Sequence, residues 1–540
     1  MKLFSGFKRK EVVNLSLFGI SLIPVILYLF VASQRIGLPF DLEWGEGAGI
    51  NQIHRLLSGE KLYVPPTLEF APLVYTPFYY WLASILSRFN QQQVILAARL
   101  LSLLASLASA AIIIWLVAKD TRRFLAGWLA GALYLGCFAF SDGFYDLVRV
   151  DSLYIFMLLL SLAVLRIGLK PIPMLAAGLS IAVGFYTKQS TLIVFAPLLI
   201  FLWITNWKKA WPLLPVILLG VILPLYWINL RSGGWFVYYI FQLPREHGYS
   251  LISAVYFWVG DVLGPLGISV GFGLLFVFSH YLGKESHASG LGREHPDASP
   301  GPAGRLPKRL GTYYVLFAVG AFGAAWVTRA SNGGGANNAM TAYAALAILF
   351  GLGYHEAQVW AKKQDAMGGL GEIFVSCLVA IQMLGLIYNP FHFLPTAGEI
   401  KANEMLVAEM RAVEEPPWMP FRSHYPRRAA KQTSIHAVNL FELTGFFKGE
   451  VLPEGRELVN EIRENVCNQA YGMVVLDQPV LWISDQLSAA YQLDDRFSFL
   501  ESERRSKLLE WQGGYEAFYL PREDYDPSSC LATIDYEGTK

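Results

Sequence analysis

Apolar runs long enough to cross a bilayer recur along the chain as far as residue 388 and then stop. A helix needs about 20 mostly apolar residues to span the hydrocarbon core, and by that measure the pattern predicts crossings near 12–32, 94–117, 124–141, 152–167, 172–187, 190–205, 210–228, 262–282, 311–328, 340–360 and 371–388. That makes about eleven transmembrane helices. The first run follows Lys8, Arg9 and Lys10 and has no small-residue cleavage site ahead of Arg35, so it reads as a retained membrane helix and not as a signal peptide.

Between the first two crossings, residues 33–93 form a long loop. It contains an amphipathic stretch, Ile50–Leu57, that reads as a helix lying along the interface, and an aromatic group (Tyr75, Phe78, Tyr79, Tyr80, Trp81) that re-enters the headgroup region. Residues 283–310 are rich in Gly, Pro, Ser and His and read as a flexible cytoplasmic linker. Beyond residue 390 the pattern is that of a soluble domain, with helical periodicity at 399–413 and 456–468 and strand-like runs at Met473–Leu476 and Val480–Ile483. The expected fold is therefore an all-α polytopic membrane domain over 1–390 followed by a small α/β domain over 391–540.

Composition agrees. Of 540 residues, 54% are hydrophobic and 16% charged, too little charge to clothe a soluble protein of this length. The net charge of +1, with no basic face or tail, speaks against a nucleic-acid partner. Cys137 and Cys377 sit in apolar segments and read as core residues. Cys467 and Cys530 lie in the C-terminal region, where a disulfide is chemically permitted, and no spacing suggests a zinc site. The distribution of charge sets the orientation. Lys8, Arg9, Lys10, Lys119, Arg122, Arg123, Arg166, Lys170, Lys208, Lys209, Lys362 and Lys363 fall with the linker basics on one set of segments, which holds twice as many Lys and Arg as the other. By the positive-inside rule the N-terminus is cytoplasmic and the C-terminal domain is periplasmic or extracellular in a bacterial inner membrane.

With this layout the unusual polar motifs share the outer face. Asp41, Glu43 and Glu46 stand within six residues just past the first crossing. Carboxylates beside a bilayer are expensive unless hydrated or functional; a solvated loop is the plain alternative. Arg149 and Asp151 flank the start of the fourth crossing, as an interfacial ion pair or as a phosphate-binding arginine beside an orienting carboxylate. Lys188 ends the fifth crossing, where a lysine either snorkels or pairs with a lipid phosphate. Arg245 and His247 offer further donors from the outer loop 229–261. Ser331-Asn332-Gly333-Gly334-Gly335-Ala336-Asn337-Asn338 is either a flexible turn or a close backbone approach carrying amides suited to a sugar or phosphate.

The order of these motifs, an acidic first loop followed by "RLLSGEKLY", "PLVYTPFYYWL", "VRVDSLYIF", "GFYTKQSTL" and "NGGGANNAM", resembles the GT-C superfamily of membrane glycosyltransferases over residues 10–390. The nearest group is the bacterial branch related to dolichyl-phosphate-mannose–protein mannosyltransferases and aminoarabinose transferases. The resemblance implies a polyprenyl-phosphate-linked sugar as donor, a glycan, lipid or protein as acceptor, transfer on the non-cytoplasmic face and inversion at the anomeric carbon. It also implies a first-loop carboxylate as general base, Asp41 first and Glu46 next; Gly45 stands where many relatives have the first acid of an Asp-Glu pair, so the choice between the two stays open. Asp151 matches the second acidic position and Lys188 the lysine. A bound divalent metal, Mg or Mn, with Asp41 and Asp151 as candidate ligands, is an alternative to Arg149, Lys188, Arg245 and His247 for stabilising the departing phosphate. Glu43, Arg149, Arg245, His247, Asn337 and Asn338 would complete substrate binding. The main rival, a transporter or flippase without transferase chemistry, would place charge at helix midplanes and show an internal repeat, and neither is present. A non-catalytic assembly scaffold would not explain why acids and bases gather together.

Overall fold

The computed structural model describes residues 9–89, 93–282, 308–363, 369–445, 453–494 and 517–534. All eleven expected crossings are helices. In chain order they begin with α1 (Arg9–Arg35), which is followed by two interfacial helices, α2 (Glu46–Leu57) and α3 (Phe78–Ser87). Then come α4 (Val94–Thr121), α5 (Phe124–Gly136), α6 (Asp151–Ile167), α7 (Pro171–Thr187), α8 (Thr191–Ala210) and α9 (Leu213–Arg231). The remaining membrane helices are 251–282, Lys308–Ala330, Met340–Lys363 and Leu370–Leu384. Among the described residues eight helices are long and apolar enough to cross a membrane, while α6, α7 and Leu370–Leu384 are shorter. The helix of residues 251–282 starts eleven residues before the expected 262, because the outer loop there is itself helical. The linker expectation for 283–307 lies outside the described residues; Lys308, Arg309 and Leu310 already belong to the next helix.

Met340–Lys363 is the most buried of these helices. Without a hydrophobic force between helices in lipid, close approach depends on small residues. A Cβ on Gly353 would lie 1.9 Å from the Phe272 carbonyl oxygen, and one on Gly320 2.0 Å from that of Val194. On the basic face of the bundle, Arg166 Nε donates to Asp120 Oδ1 at 2.9 Å and the Tyr314 hydroxyl to Asp120 Oδ2 at 2.5 Å, joining three helices. Cys137 is buried, but Cys377 points outward from its helix. In an apolar sequence the lipid-facing side of a helix is as hydrophobic as the core, so composition alone did not separate the two.

The C-terminal region contains the helices Ala397–Ala412 and Pro453–Cys467 and a four-stranded sheet. Its strands are β1 (Pro417–Trp418), β2 (Met473–Leu476), β3 (Tyr491–Leu493) and β4 (Ala517–Pro521), in the order β1-β2-β4-β3. β1 and β2 run parallel, with Pro417 opposite Met473, and the other pairs are antiparallel. The second expected strand is corrected. Leu481–Ile483 is a 3-10 turn that runs directly into the helix Ser484–Ala490, because Pro479 closes β2 and the next apolar residues start a helix. Cys467 and Cys530 are disulfide-bonded across 63 residues. Constraining a loop of that length contributes about 4 kcal/mol in the chain-entropy account. Reduction is therefore expected to lower the thermal midpoint of the C-terminal region and expose it to limited proteolysis, with proteolysis of the membrane helices unchanged.

Candidate active site

The loops assigned to the outer face by charge come together. Gln189 Nε2 donates to the Val74 carbonyl at 3.1 Å, Asn332 N to Gly248 O at 2.8 Å and Ile435 N to Leu68 O at 2.7 Å. The segment 36–45 between α1 and α2 is fixed by one arginine. Arg99, in an apolar helix and fully buried, gives all five of its N–H donors: Nε and Nη2 to Glu46 at 3.0 and 2.7 Å, Nη1 to the carbonyls of Arg35 and Leu38 at 3.0 Å each, and Nη2 to that of Phe40 at 2.8 Å. Glu46 is saturated in turn, accepting from Leu42 N and Val148 N at 2.7 Å each. Burial alone would raise its pKa, but Arg99 and the two amides hold it below the ordinary glutamate value. Arg35 is paired with Asp146 in the same buried layer. A clamp of this kind sets the path of the loop and offers no lone pair to a substrate.

Asp41 sits on that clamped loop in the opposite condition. Its side chain is 4% exposed, and neither carboxylate oxygen makes a hydrogen bond within the protein. Burial and, less strongly, the charge of Glu46 push its pKa up to about 7, against the pull of Arg422 and of the Tyr425 hydroxyl, whose own hydrogen bond goes to Asn403 Oδ1 at 2.8 Å. An uncommitted carboxylate titrating near neutrality is suited to accept a proton.

The second cluster contains four of the expected residues. Lys188 Nζ is 2.8 Å from Asp151 Oδ1 and 3.4 Å from Asn338 Oδ1, while Asn337 Nδ2 donates to Asp151 Oδ2 at 3.1 Å. Tyr75 and Tyr154 present their rings to the ammonium at 5.7 and 5.5 Å. Burial would lower the lysine pKa, but Asp151 more than offsets it, so Lys188 is a fixed cation. The glycines before the asparagines pack closely: a Cβ on Gly334 would lie 2.4 Å from Thr328 O. Arg149 stands between the clusters. Its guanidinium is 3.5 Å from Glu43 Oε2 and over the Phe144 ring, within electrostatic reach of Asp151 on one side and His436 on the other. It lies directly above Gly45, where a Cβ would approach Nη1 to 2.0 Å, so the departure from an Asp-Glu pair leaves room for Arg149.

Arg245 and His247 are placed differently. His247 pairs with Glu442 of the C-terminal region, and Arg245 lines a cavity of about 340 Å³ with Tyr238, Glu246 and Glu454. Among the described residues no group of three or more His, Cys, Asp or Glu converges as a metal site. Asp151 gives its oxygens to Lys188 and Asn337, while Asp41 stands in the other cluster. A larger cavity, about 410 Å³ and almost wholly apolar, opens between Tyr63, Phe78 and Trp81 on the interfacial side and Val183, Tyr186, Pro224 and Trp227 of α7 and α9, with Lys61 and Arg231 also lining it.

Several participants had no place in the sequence reading. Arg99 carried a signal, an arginine inside an apolar helix. His424, His436, Arg422 and Tyr425 carried none, since only the folded C-terminal region brings them to the first loop.

The architecture is a multi-pass helical membrane fold of the GT-C type. Residues 74–227, which include Arg149, Asp151 and Lys188, match the family described as dolichyl-phosphate-mannose-protein mannosyltransferase. The structure is similar to ArnT from Cupriavidus metallidurans bound to undecaprenyl phosphate, with a TM-score of 0.57 and 13% identity over 94% of this chain and 98% of that one. It is also similar to the apo form of the same protein, with a TM-score of 0.56 and 13% identity over 93% and 97%. A weaker likeness, TM-score 0.48 and 10% identity over 88% and 71%, is to the Archaeoglobus fulgidus oligosaccharyltransferase crystallised with Zn and sulfate. A comparison with curated proteins finds no sequence match.

Proposed function

We propose that the protein transfers a sugar from a polyprenyl-phosphate-linked donor to an acceptor hydroxyl at the outer face of the bacterial inner membrane. The observation that carries this reading is the division of one site into a buried, uncommitted carboxylate, Asp41, and a fixed cationic cluster, Arg149 and Lys188. Displacing a phosphate from an anomeric carbon requires both. The acceptor oxygen bonds to the anomeric carbon, its proton passes to Asp41, and the bond from that carbon to the phosphate oxygen breaks with its electron pair going to the phosphate. Lys188 and Arg149 stabilise the charge that develops there. Asp151, Asn337 and Asn338 position Lys188, and Glu43 positions Arg149. Glu46 holds the loop and takes no proton. Attack from the Asp41 side with departure on the Lys188 side inverts the anomeric configuration. The matched family and the undecaprenyl phosphate bound by the similar ArnT both support a lipid-phosphate donor, and the 410 Å³ apolar cavity is suited to the first isoprene units of its tail.

The Lys/Arg asymmetry and the disulfide, a bond that persists in oxidising compartments, support an extracytoplasmic site and C-terminal domain. The departing charge meets two cations of the chain itself, Arg149 and Lys188. In proteoliposomes supplied with a labelled polyprenyl-phosphate sugar and membrane acceptors, wild-type protein is expected to form labelled acceptor. Lys188→Met is expected to weaken that transfer by at least about tenfold and, because it leaves the buried Asp151 carboxylate unpaired, to lower the thermal midpoint as well. Translocation of the donor without any new glycosidic bond would establish a transporter instead.

A further inference from the structure

The C-terminal region seats two histidines on α2. A Cβ at Gly47 would lie 3.0 Å from His424 Nδ1 and 3.2 Å from His436 Nε2, so bare backbone is what admits both rings. One turn later Asn51 Nδ2 donates to Ser423 Oγ at 2.8 Å, and the Arg422–Asp477 pair backs the segment at 3.1 Å. His424 is 3% exposed, stands edge-on to the Tyr425 ring, and makes no hydrogen bond through either ring nitrogen. Its Nδ1 is 3.9 Å from Asp41 Oδ2, which likewise lacks a partner.

A gap of 3.9 Å is too long for a hydrogen bond, and because both facing atoms are closed off from solvent, an oxygen about 2.8 Å from each can enter only as the two side chains part. Buried donors and acceptors are seldom left unpaired in folded proteins, because each costs about 1–3 kcal/mol, and one hydroxyl can satisfy a facing donor and acceptor together. Burial, together with His436, Arg428, His54 and Arg422, keeps the imidazole neutral, so it carries one N–H and one lone pair.

We propose that His424 is a substrate-contacting residue whose Nδ1–H and Asp41 Oδ2 together hold the attacking hydroxyl of a saccharide acceptor. The assignment rests on the transferase reading above. The hydroxyl donates its hydrogen to Asp41 and accepts from His424 on one lone pair, leaving the other directed at the anomeric carbon. As the carbon–oxygen bond forms, the proton goes to Asp41 and His424 keeps its own. The C-terminal domain thus completes the acceptor side of the site.

Two variants test this. His424→Phe keeps the ring but loses the N–H, whereas His424→Asn places an amide N–H near the Nδ1 position. With the labelled donor in proteoliposomes, His424→Phe is expected to lower kcat/KM for the acceptor about 10- to 100-fold with donor KM unchanged, and His424→Asn to stay within about threefold of wild type. Equal acceptor kinetics in wild type and His424→Phe would overturn the assignment. So would equal losses in both variants accompanied by a raised donor KM, the mark of a merely structural residue. No transfer by wild-type protein from any lipid-linked sugar would instead overturn the transferase reading, and this assignment with it.

Discussion

Replacing Asp41 by Asn is expected to reduce sugar transfer by about 10²- to 10⁴-fold while the protein stays folded, because a positioned general base contributes that much and the amide cannot accept the proton. The pH dependence follows from the same group. Asp41 must be ionised to act, and burial pushes its pKa up to about 7. Wild-type kcat/KM for the acceptor is therefore expected to fall about tenfold per pH unit below pH 7 and to level off above it. The sign for stability is the reverse. A carboxyl whose folded pKa lies above its unfolded value favours folding in its protonated form, so its contribution is complete below the unfolded pKa and is lost as pH rises through 7. Asp41→Asn is thus expected to melt no lower than wild type at pH 8. An inactive variant with an undiminished midpoint separates chemistry from unfolding, and an active one would show that another group takes the proton.

Glu46, five residues away, is expected to behave oppositely. Removing one partner of a fully buried ion pair leaves the other charged and unpaired, at a cost of about 3–5 kcal/mol. Arg99→Met would orphan Glu46 and free the carbonyls of Arg35, Leu38 and Phe40 together. Glu46→Gln would set an amide N–H₂ against Arg99 and against either Leu42 N or Val148 N. Both are expected to lower the thermal midpoint in detergent and to reduce donor binding in step with it. The double variant should lose less than the sum of the two, since the singles share one interaction. A Glu46→Gln protein of wild-type midpoint but no activity would instead make Glu46 a participant in the chemistry.

These two carboxylates show what could be read from the chain and what could not. The eleven helices were legible because each is a long apolar run, and the shared face of the polar loops was legible because Lys and Arg mark the other side. Asp151, Lys188, Asn337 and Asn338 could be gathered as motifs, since all stand at helix ends on that face, and the structure joins them. Asp41 and Glu46 could not be separated: both are acids beside a glycine-rich turn, and what distinguishes them is a partner 53 residues beyond Glu46, Arg99. The histidines were invisible for a related reason. His424 reaches Asp41 only through the packing of residues 418–441 on α2, and no local pattern records a contact made between distant segments. Val480–Ile483 was misread because four apolar residues suit a strand or a buried turn equally, and only Pro479 tips the balance.

The central claim is that this site forms a glycosidic bond at the expense of a lipid phosphate ester, and product stoichiometry tests it most directly. Wild-type protein, a polyprenyl-phosphate sugar labelled in both halves and a membrane acceptor are incubated together, with a nucleotide-linked sugar as the alternative donor. One free polyprenyl monophosphate is predicted for each glycosylated acceptor, with no transfer from the nucleotide sugar and neither product with Asp41→Asn. Transfer from the nucleotide sugar, or loss of the lipid-linked sugar from one leaflet with both labels still joined, would contradict it.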